Sequence, residues 1–175
     1  MPHAEEFSDR ISSWRDLTDL VEHFSYFSAH DWLFRGVTDA TYALIPKVGR
    51  PGTRAIQTNS KTKHIPYRLK DECAILQMFK QQARSHLISP PATDLEWLAV
   101  AQHFGLPTRL LDWTESLFVA TWFAIEKAGA KGNKSDAAIW VVRGVKSVAP
   151  QIETDPFKIL EPKIFRPAYV SPRIA

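Results

Sequence analysis

The residues of this chain that could do chemistry lie in two short stretches. Arg35 ends an apolar run and is followed by Gly36, and its guanidinium could bind a phosphate or carboxylate through two parallel hydrogen bonds. His103 could act as a general base near neutral pH, with Asp112 as a second candidate catalytic residue. The candidate substrate-binding residues are Arg35, Gln102, Thr108 and Arg109. Together these residue types favour the binding of an anion.

Each candidate also has a plainer structural interpretation, and both interpretations stay open from the sequence. Arg35 could form a buried ion pair with Asp112 or Glu115, and Gly36 could admit either a ligand or another stretch of backbone. His103 could be a core residue with one hydrogen bond, and Thr108 could cap a short turn. The sequence contains no glycine-rich phosphate loop, no serine nucleophile elbow and no metal-ligand cluster, and any cofactor stays unknown.

Two buried helices are expected to position these residues. Thr93 and Glu96 form a capping-box pattern, so the first helix is predicted over about 93–105 and ends at a left-handed Gly105. Asp112 and Glu115 repeat the pattern, so the second helix is predicted over about 112–128. Because both segments are apolar on most of their surface, they are predicted to lie in the core.

The remaining elements predict an α+β fold, with a small, mostly antiparallel sheet packed against this helical layer. Helices are expected from Ser13 and over 71–87, a hairpin over 32–37 and 42–45, and a buried strand over 137–142, with short strands at 159–160 and 169–170. The residues predicted to be most buried are Trp97, Leu98, Phe104, Leu117, Phe118, Trp122 and Trp140.

The segment 47–70 is a basic loop in this interpretation. It contains seven Lys or Arg residues and no acidic residue, although the net charge of the whole chain is only +3. Its glycines and prolines argue against regular structure over most of its length. Such a loop is either a solvated surface segment or an electropositive flap over a phosphate-bearing small molecule or a nucleic acid.

Composition fixes the broad class of the protein. A chain of 175 residues with 45% hydrophobic residues is long enough for one folded domain, here 1–175. The single cysteine, Cys73, excludes an internal disulfide framework and a multi-cysteine zinc site, and it favours a cytoplasmic location. The longest apolar run, 117–125, is much shorter than the roughly 20 residues of a membrane span, so no membrane partner is expected.

Two sequence blocks resemble the FRG domain family, which is named after an aromatic-Arg-Gly motif. The motif is Phe34-Arg35-Gly36, and the second block is AQHFGLPTRLLDWTESLFVATWFAI, from Ala101 to Ile125. The resemblance implies a bacterial or phage module of uncertain biochemistry, often found beside phage-defence genes and mobile elements. It brings no established reaction, so whether the protein is an enzyme stays open, as does its oligomeric state.

Three functions are compatible with this resemblance. The first is an anion- or nucleotide-binding site around Arg35 and the segment 102–112, and the second is a non-catalytic binding module in which the motif is structural. The third is an ADP-ribosyltransferase-like enzyme, which would need a late glutamate such as Glu153 or Glu161. The chain ends at Ala175, where the family pattern continues, so we expect either a naturally short member or the loss of a C-terminal block.

Overall fold

The computed structural model describes residues 10–26, 32–51, 54–58, 61–65, 67–128, 135–148 and 155–167. Two compact units make up the chain. The first unit comprises Met1–Ala43 and Asp112–Val145, and the second comprises Leu44–Leu111 and Lys146–Ala175. Each unit is described by itself below.

The first unit contains two helices and a two-stranded antiparallel sheet. Helix α1 covers Trp14–Tyr26 and strand β1 covers Trp32–Val37. Ser13 caps α1, since its hydroxyl oxygen accepts from Asp16 N–H at 3.2 Å and its backbone N–H donates to the Asp16 carboxylate at 2.9 Å.

The second unit carries most of the remaining helix. It contains strands β2 (Arg54–Thr58) and β3 (Lys61–Ile65), which pair as an antiparallel hairpin, followed by α2 (Leu69–Ala83) and α3 (Asp94–His103). Its core includes Leu76, Trp97, Leu98 and Ala101. The predicted capping box of α3 is confirmed: the Thr93 hydroxyl accepts from Glu96 N–H, and the Glu96 carboxylate accepts from Thr93 N–H.

Helix α4 (Leu117–Ile125) and strand β4 (Ala138–Arg143) return the chain to the first unit, and strands β5 (Ser147–Val148) and β6 (Ile164–Phe165) form a short parallel pair near its end. Strand β4 pairs with β1 from Trp32 opposite Arg143 to Val37 opposite Ala138. The other edge of β1 is also occupied, because Phe34 and Thr114 exchange two backbone hydrogen bonds of 2.7 and 2.9 Å.

The core of the first unit lies on one face of this sheet. Trp32, Phe34, Ile139 and Val141 meet buried residues of α1 and α4 there. Gly36 lies on the same face, and a Cβ built on it would fall 1.9 Å from the carbonyl oxygen of Ala120 in α4. Since side chains alternate along a strand, the odd-numbered residues of β1 belong to the opposite face.

The α+β fold with a small antiparallel sheet is confirmed, and so are α1, the start of α3 and the left-handed Gly105, whose φ is 87°. The predicted strand 137–142 is also present as β4, although its residues are half-buried or exposed and not fully buried. The predicted helix 71–87 corresponds to α2 and a 3-10 turn over Arg84–His86.

Several local predictions are wrong. Residues 42–45 form no strand, because β4 and Thr114 already pair with both edges of β1. The second helix begins at Leu117 with Ser116 as its cap, because the backbone of Thr114 is engaged with Phe34. Residues 159–160 form no strand, and 169–170 lie outside the described residues.

The basic loop predicted over 47–70 is partly regular. Its middle is the β2–β3 hairpin, with Arg54 opposite Ile65 and Thr58 opposite Lys61, and a 3-10 turn covers Lys47–Gly49. Backbone pairing between β2 and β3 therefore outweighs the Gly and Pro content, which led to the prediction of a loop.

The predicted core is correct only in part. Trp97, Leu98 and Leu117 are buried, but Phe104, Phe118 and Trp122 are exposed and Trp140 is half-buried. The prediction fails mainly in α4, where β1 covers the face that carries Ala120 and Ala124 and leaves the opposite face open.

Candidate functional site

Arg35 lies on the sheet face that points away from the core of the first unit. Its side chain is half-buried, and its Nη1 donates a hydrogen bond to the backbone carbonyl oxygen of Asp112. The expected reach between Arg35 and the end of the 102–112 segment is therefore confirmed, through the carbonyl group of Asp112. This contact orients one edge of a guanidinium that carries five N–H donors in total.

Trp140 is the direct cross-strand partner of Arg35 in the β1–β4 sheet. Directly opposed residues of an antiparallel pair have Cβ atoms about 5 Å apart and lie on the same face. The indole Nε1 of Trp140 is inaccessible to solvent, and within the described part of the chain it has no hydrogen-bond acceptor. The sheet thus presents a cation beside a buried N–H group that lacks an acceptor.

Trp140 was assigned to the core by the sequence analysis because it lies in a compact apolar run. The strand itself could be predicted, but its pairing with β1 joins residues about 105 positions apart, as in Arg35 opposite Trp140. No local signal fixes such a register. A tryptophan in a half-buried strand would have been the only hint, because its indole N–H needs an acceptor when it is buried.

Arg109 is held within the second unit by several contacts. Its Nε and Nη2 donate to the two carboxylate oxygens of Glu72, both at 2.8 Å, and its Nη1 donates to the carbonyl oxygen of Pro156 at 2.8 Å. The guanidinium also lies 4.7 Å from the ring centre of Phe157. The hydrogen bonds from Arg109 to Glu72 are the main cause that raises the pKa of Arg109 above its usual value.

This arrangement joins α2, the 102–112 segment and the 3-10 turn over Pro156–Lys158. Glu72 is 5% exposed, so its charge is balanced by a paired guanidinium instead of water. The geometry of Arg109 is that of a structural clamp, with its Nε and both Nη groups committed to protein acceptors.

Gln102 and Thr108 contact each other in the same unit. The Thr108 hydroxyl donates to the Gln102 side-chain oxygen and accepts from Leu110 N–H at 3.3 Å. The second bond is the one expected of a residue that caps the short turn after it. Thr108 is 2% exposed and borders a cavity of about 10 Å³, enough for about one water molecule.

His103 is the last residue of α3 and is half-buried. Its ring meets Phe104 edge-on at 5.6 Å, and its Nε2 is inaccessible and has no hydrogen-bond partner among the described residues. Cys73 lies in the same unit, and burial followed by the neighbouring Glu72 charge raises the pKa of its thiol. The raised pKa makes this thiol a poor nucleophile at neutral pH.

The six candidate residues are thus divided between the units. Arg35 and Asp112 meet in the first unit, whereas Gln102, His103, Thr108 and Arg109 belong to the second. Of the late glutamates, Glu153 lies outside the described residues, and Glu161 is exposed with Lys163 at 3.8 Å.

The described ranges contain neither a metal-binding cluster nor a membrane-spanning helix. Within them, no three His, Cys, Asp or Glu side chains come close enough together to hold a metal ion. No helix in those ranges is long and apolar enough to cross a membrane.

Comparison with known proteins gives one family match. Residues 30–133 match the model of the FRG domain, which is more than half of the 175 residues and includes both sequence blocks. Neither the curated proteins nor the solved structures yield a match. With the motif residue Gly36 fixed against α4 and Arg35 held by Asp112, the chain belongs to the FRG domain family.

Proposed function

We propose that this FRG domain binds a phosphate-bearing ligand on the face of the β1–β4 sheet that carries Arg35 and Trp140, with these two residues as its hydrogen-bond donors. The observation that carries the proposal is the buried indole N–H of Trp140, which has no acceptor among the described residues and lies across from a guanidinium. A buried donor without an acceptor costs about 1–3 kcal/mol. A ligand oxygen that accepts this N–H would remove that cost.

The adjacent charge determines the class of ligand. A guanidinium favours phosphate or carboxylate oxygens over neutral acceptors, because charge-assisted hydrogen bonds are shorter and stronger. The contact with the Asp112 carbonyl holds Arg35 in place across from Trp140. Trp140 is half-buried, and an indole ring is a group on which a nucleobase can stack, so we favour a nucleotide over inorganic phosphate.

Binding, and not turnover, is the function that this geometry supports. Arg109, Gln102 and Thr108 are engaged in bonds within the second unit, which favours a structural role for them. The catalytic roles considered for His103 and Asp112 remain predictions. In this proposal Asp112 acts through its carbonyl group, as the residue that orients Arg35.

Calorimetry with inorganic phosphate, pyrophosphate and AMP tests the site. Trp140→Phe removes the indole N–H and keeps an aromatic ring. Arg35→Lys keeps the positive charge and removes the planar guanidinium with its parallel N–H donors. Each change should weaken binding at least about tenfold, the scale of one charge-assisted hydrogen bond. Arg143→Ala is the matched control, because Arg143 lies opposite Trp32 on the other face, 5.1 Å from its ring centre, and should not alter affinity.

Two results would reject the binding site. One is unchanged affinity in both Trp140→Phe and Arg35→Lys. The other is the absence of binding to all three probes, together with a loss of about 1.5–3 kcal/mol of stability in Arg35→Ala, which is the scale of a hydrogen bond to a charged group. The second result would make Arg35 a structural clamp like Arg109.

The β2–β3 hairpin favours a second candidate function, which is contact with a nucleic-acid backbone. By register, positions 54, 61 and 63 fall on one face of the hairpin, and they are occupied by Arg, Lys and Lys. A two-stranded ribbon whose register gives basic residues to positions of one face is the kind of element that fits the major groove of DNA or tracks a phosphate backbone.

Salt-dependent binding to a DNA duplex and to a single strand tests this function. Replacing Arg54, Lys61 and Lys63 with Gln should reduce the affinity. It should also reduce the slope of a plot of the logarithm of the affinity against the logarithm of the salt concentration. The charge-matched control replaces the exposed Lys127, Lys158 and Arg166 with Gln. Equal losses in the two triple variants, or no binding at low salt, would reject a role for the hairpin.

The cellular role belongs to the same proposal. The family resemblance implies a bacterial or phage module that is often found beside defence genes, and the single cysteine favours a cytoplasmic location. We therefore propose that the Arg35–Trp140 site binds a nucleotide in that setting. In a host that carries the gene with its neighbours, Trp140→Phe should then abolish protection in a plaque assay while the protein level stays unchanged. Full protection by this variant would show that the Arg35–Trp140 site is not required for defence.

A further inference from the structure

Helix α4 leaves a continuous apolar face uncovered. At 100° per residue, Leu117, Ala120 and Ala124 lie on one side of the helix and are buried. The other side, about 160° wide, consists of five exposed apolar side chains: Phe118, Val119, Trp122, Phe123 and Ile125. Trp14 of α1 extends this surface, because its ring stacks on Phe118 at 5.7 Å and is itself 69% exposed. We call these six residues the α4 surface.

The size of the α4 surface matches one side of a small dimer interface. An aromatic side chain carries about 150–250 Å², so four of them that are about half exposed, with the two aliphatic residues, leave roughly 600 Å² open to water. The largest apolar patch of a typical monomer is about 300–600 Å², and a standard interface buries about 800 Å² per partner. The α4 surface supplies about 600 Å² of those roughly 800 Å², and residues at its rim would supply the rest.

Acidic residues lie at both ends of α4 and disfavour an anionic partner, although the exposed Lys127 directly follows Glu126. Glu115 precedes the helix and Glu126 follows it, and both are exposed. Nucleic acid and anionic lipid would therefore meet carboxylates at both ends of the apolar face. An apolar protein surface is the occupant that fits.

We propose that the α4 surface docks against the same surface of a second copy of this chain, as a symmetric dimer. In a two-fold symmetric contact the same surface patch of each copy meets that of the other copy. An almost wholly apolar patch therefore meets an equally apolar patch, and no polar group needs a partner across the contact. Two α4 helices of about 13 Å that cross at about 50° meet near Val119 and Trp122. Their ends diverge, which leaves Glu115 and Glu126 of both copies in water at the rim.

Sedimentation velocity from about 1 to 200 µM tests the dimer. The wild-type chain should pass from monomer to dimer, and higher salt should strengthen association by screening the acidic rim. Trp122→Glu should raise the dissociation constant at least about 30-fold, the scale of an interface hot spot. The matched control is Leu160→Glu, at a 96% exposed apolar residue outside the α4 surface, which should leave the constant unchanged.

A second variant separates loss of the interface from loss of the fold. Val119→Arg should also give a monomer. Both variants should keep the far-UV circular dichroism of the wild type and, at a concentration where the wild type is also monomeric, its thermal midpoint, because both side chains are exposed. A wild-type monomer at every concentration overturns the proposal, as does a Trp122→Glu dimer of wild-type strength. Binding of wild-type monomer to neutral phosphatidylcholine vesicles also overturns it, since a lipid surface would then be the occupant.

Discussion

The Cα atom of Gly36 lies directly against the backbone of Ala120, so closely that a Cβ on Gly36 would fall 1.9 Å from the Ala120 carbonyl oxygen. Real Cβ atoms do not approach other atoms to that distance, and the obstacle is helix backbone that no rotamer change can move. The glycine of the aromatic-Arg-Gly motif is therefore required by the packing of β1 on α4. Of the two roles considered for it, the approach of another backbone is the one observed.

Gly36→Ala should consequently be strongly destabilising. Overpacking of a core costs about 1–3 kcal/mol where side chains can adjust, and we expect at least about 3 kcal/mol here because β1 and α4 must separate. Denaturant titration measures the loss. Gly144→Ala is the control: Gly144 has a φ of 71° with open space around it, so Ala there should cost only about 1–2 kcal/mol of backbone strain. Equal costs would contradict the packing explanation.

The Glu72–Arg109 clamp should contribute to stability through its pairing. Glu72→Gln leaves a mostly buried guanidinium without its carboxylate, so it should lower the unfolding free energy by about 3–5 kcal/mol in a urea titration. The double variant Glu72→Leu/Arg109→Met should recover much of that loss. Arg10→Ala, which breaks a pair exposed on both sides, should have no measurable effect. If Glu72→Gln leaves the free energy of unfolding unchanged, the pairing does not stabilise the fold and Arg109 can serve another role.

Two tryptophans should respond very differently to truncation. Trp97 is 3% exposed in the core of the second unit, so Trp97→Ala should cost about 3–5 kcal/mol. Trp122 is 64% exposed, so Trp122→Ala should cost less than about 1 kcal/mol at a protein concentration where the chain is monomeric. Chemical denaturation of both variants measures the contrast. A large loss for Trp122→Ala would place α4 in the core on all sides, as the sequence alone suggested.

The capping box of α1 should produce a pH-dependent stability at low pH. Hydrogen bonds from the backbone of Ser12, then from the side chains of Ser13 and Ser12, lower the pKa of Asp16 from 3.8 to about 2. A carboxyl group with a lowered pKa stabilises the folded state fully above its unfolded pKa and loses that effect as the pH falls through the folded value. Thermal midpoints should therefore decline between about pH 4 and pH 2.

Asp16→Asn should remove that part of the pH dependence, since it leaves no group to titrate at this position. Carbon NMR of the Asp16 carboxyl group gives the midpoint directly. A midpoint near 3.8 in the folded protein would show that the four bonds from Ser12 and Ser13 do not persist in solution.

The features that follow from neighbouring residues could be predicted from the sequence. The capping boxes at Ser13 and Thr93 and the left-handed Gly105 depend on residues within one or two turns, and all three are present. The same pattern at Asp112 and Glu115 does not start a helix, because Thr114 pairs with Phe34, 80 residues earlier. Local chemistry there gives way to a long-range strand pairing.

Burial and register also depend on contacts that the sequence does not specify. The uniform apolar character of α4 predicted burial all round, whereas only the side toward β1 is covered. Arg35 was identified as an anion-binding candidate from its motif, but its neighbour Trp140 depends on the β1–β4 register. Arg109 was considered an anion anchor, and its partner Glu72 in α2 was missed because the two lie 37 residues apart.

The indole N–H resonance of Trp140 gives the most direct test of the proposed site. In proton–nitrogen correlation spectra, titration with AMP should shift this resonance downfield in a saturable manner, because the N–H acquires an anionic acceptor. Arg35→Lys should raise the dissociation constant obtained from this shift at least about tenfold, and Arg143→Ala should leave the constant unchanged. A Trp140 resonance that stays in place through saturating AMP, pyrophosphate and phosphate would contradict the account.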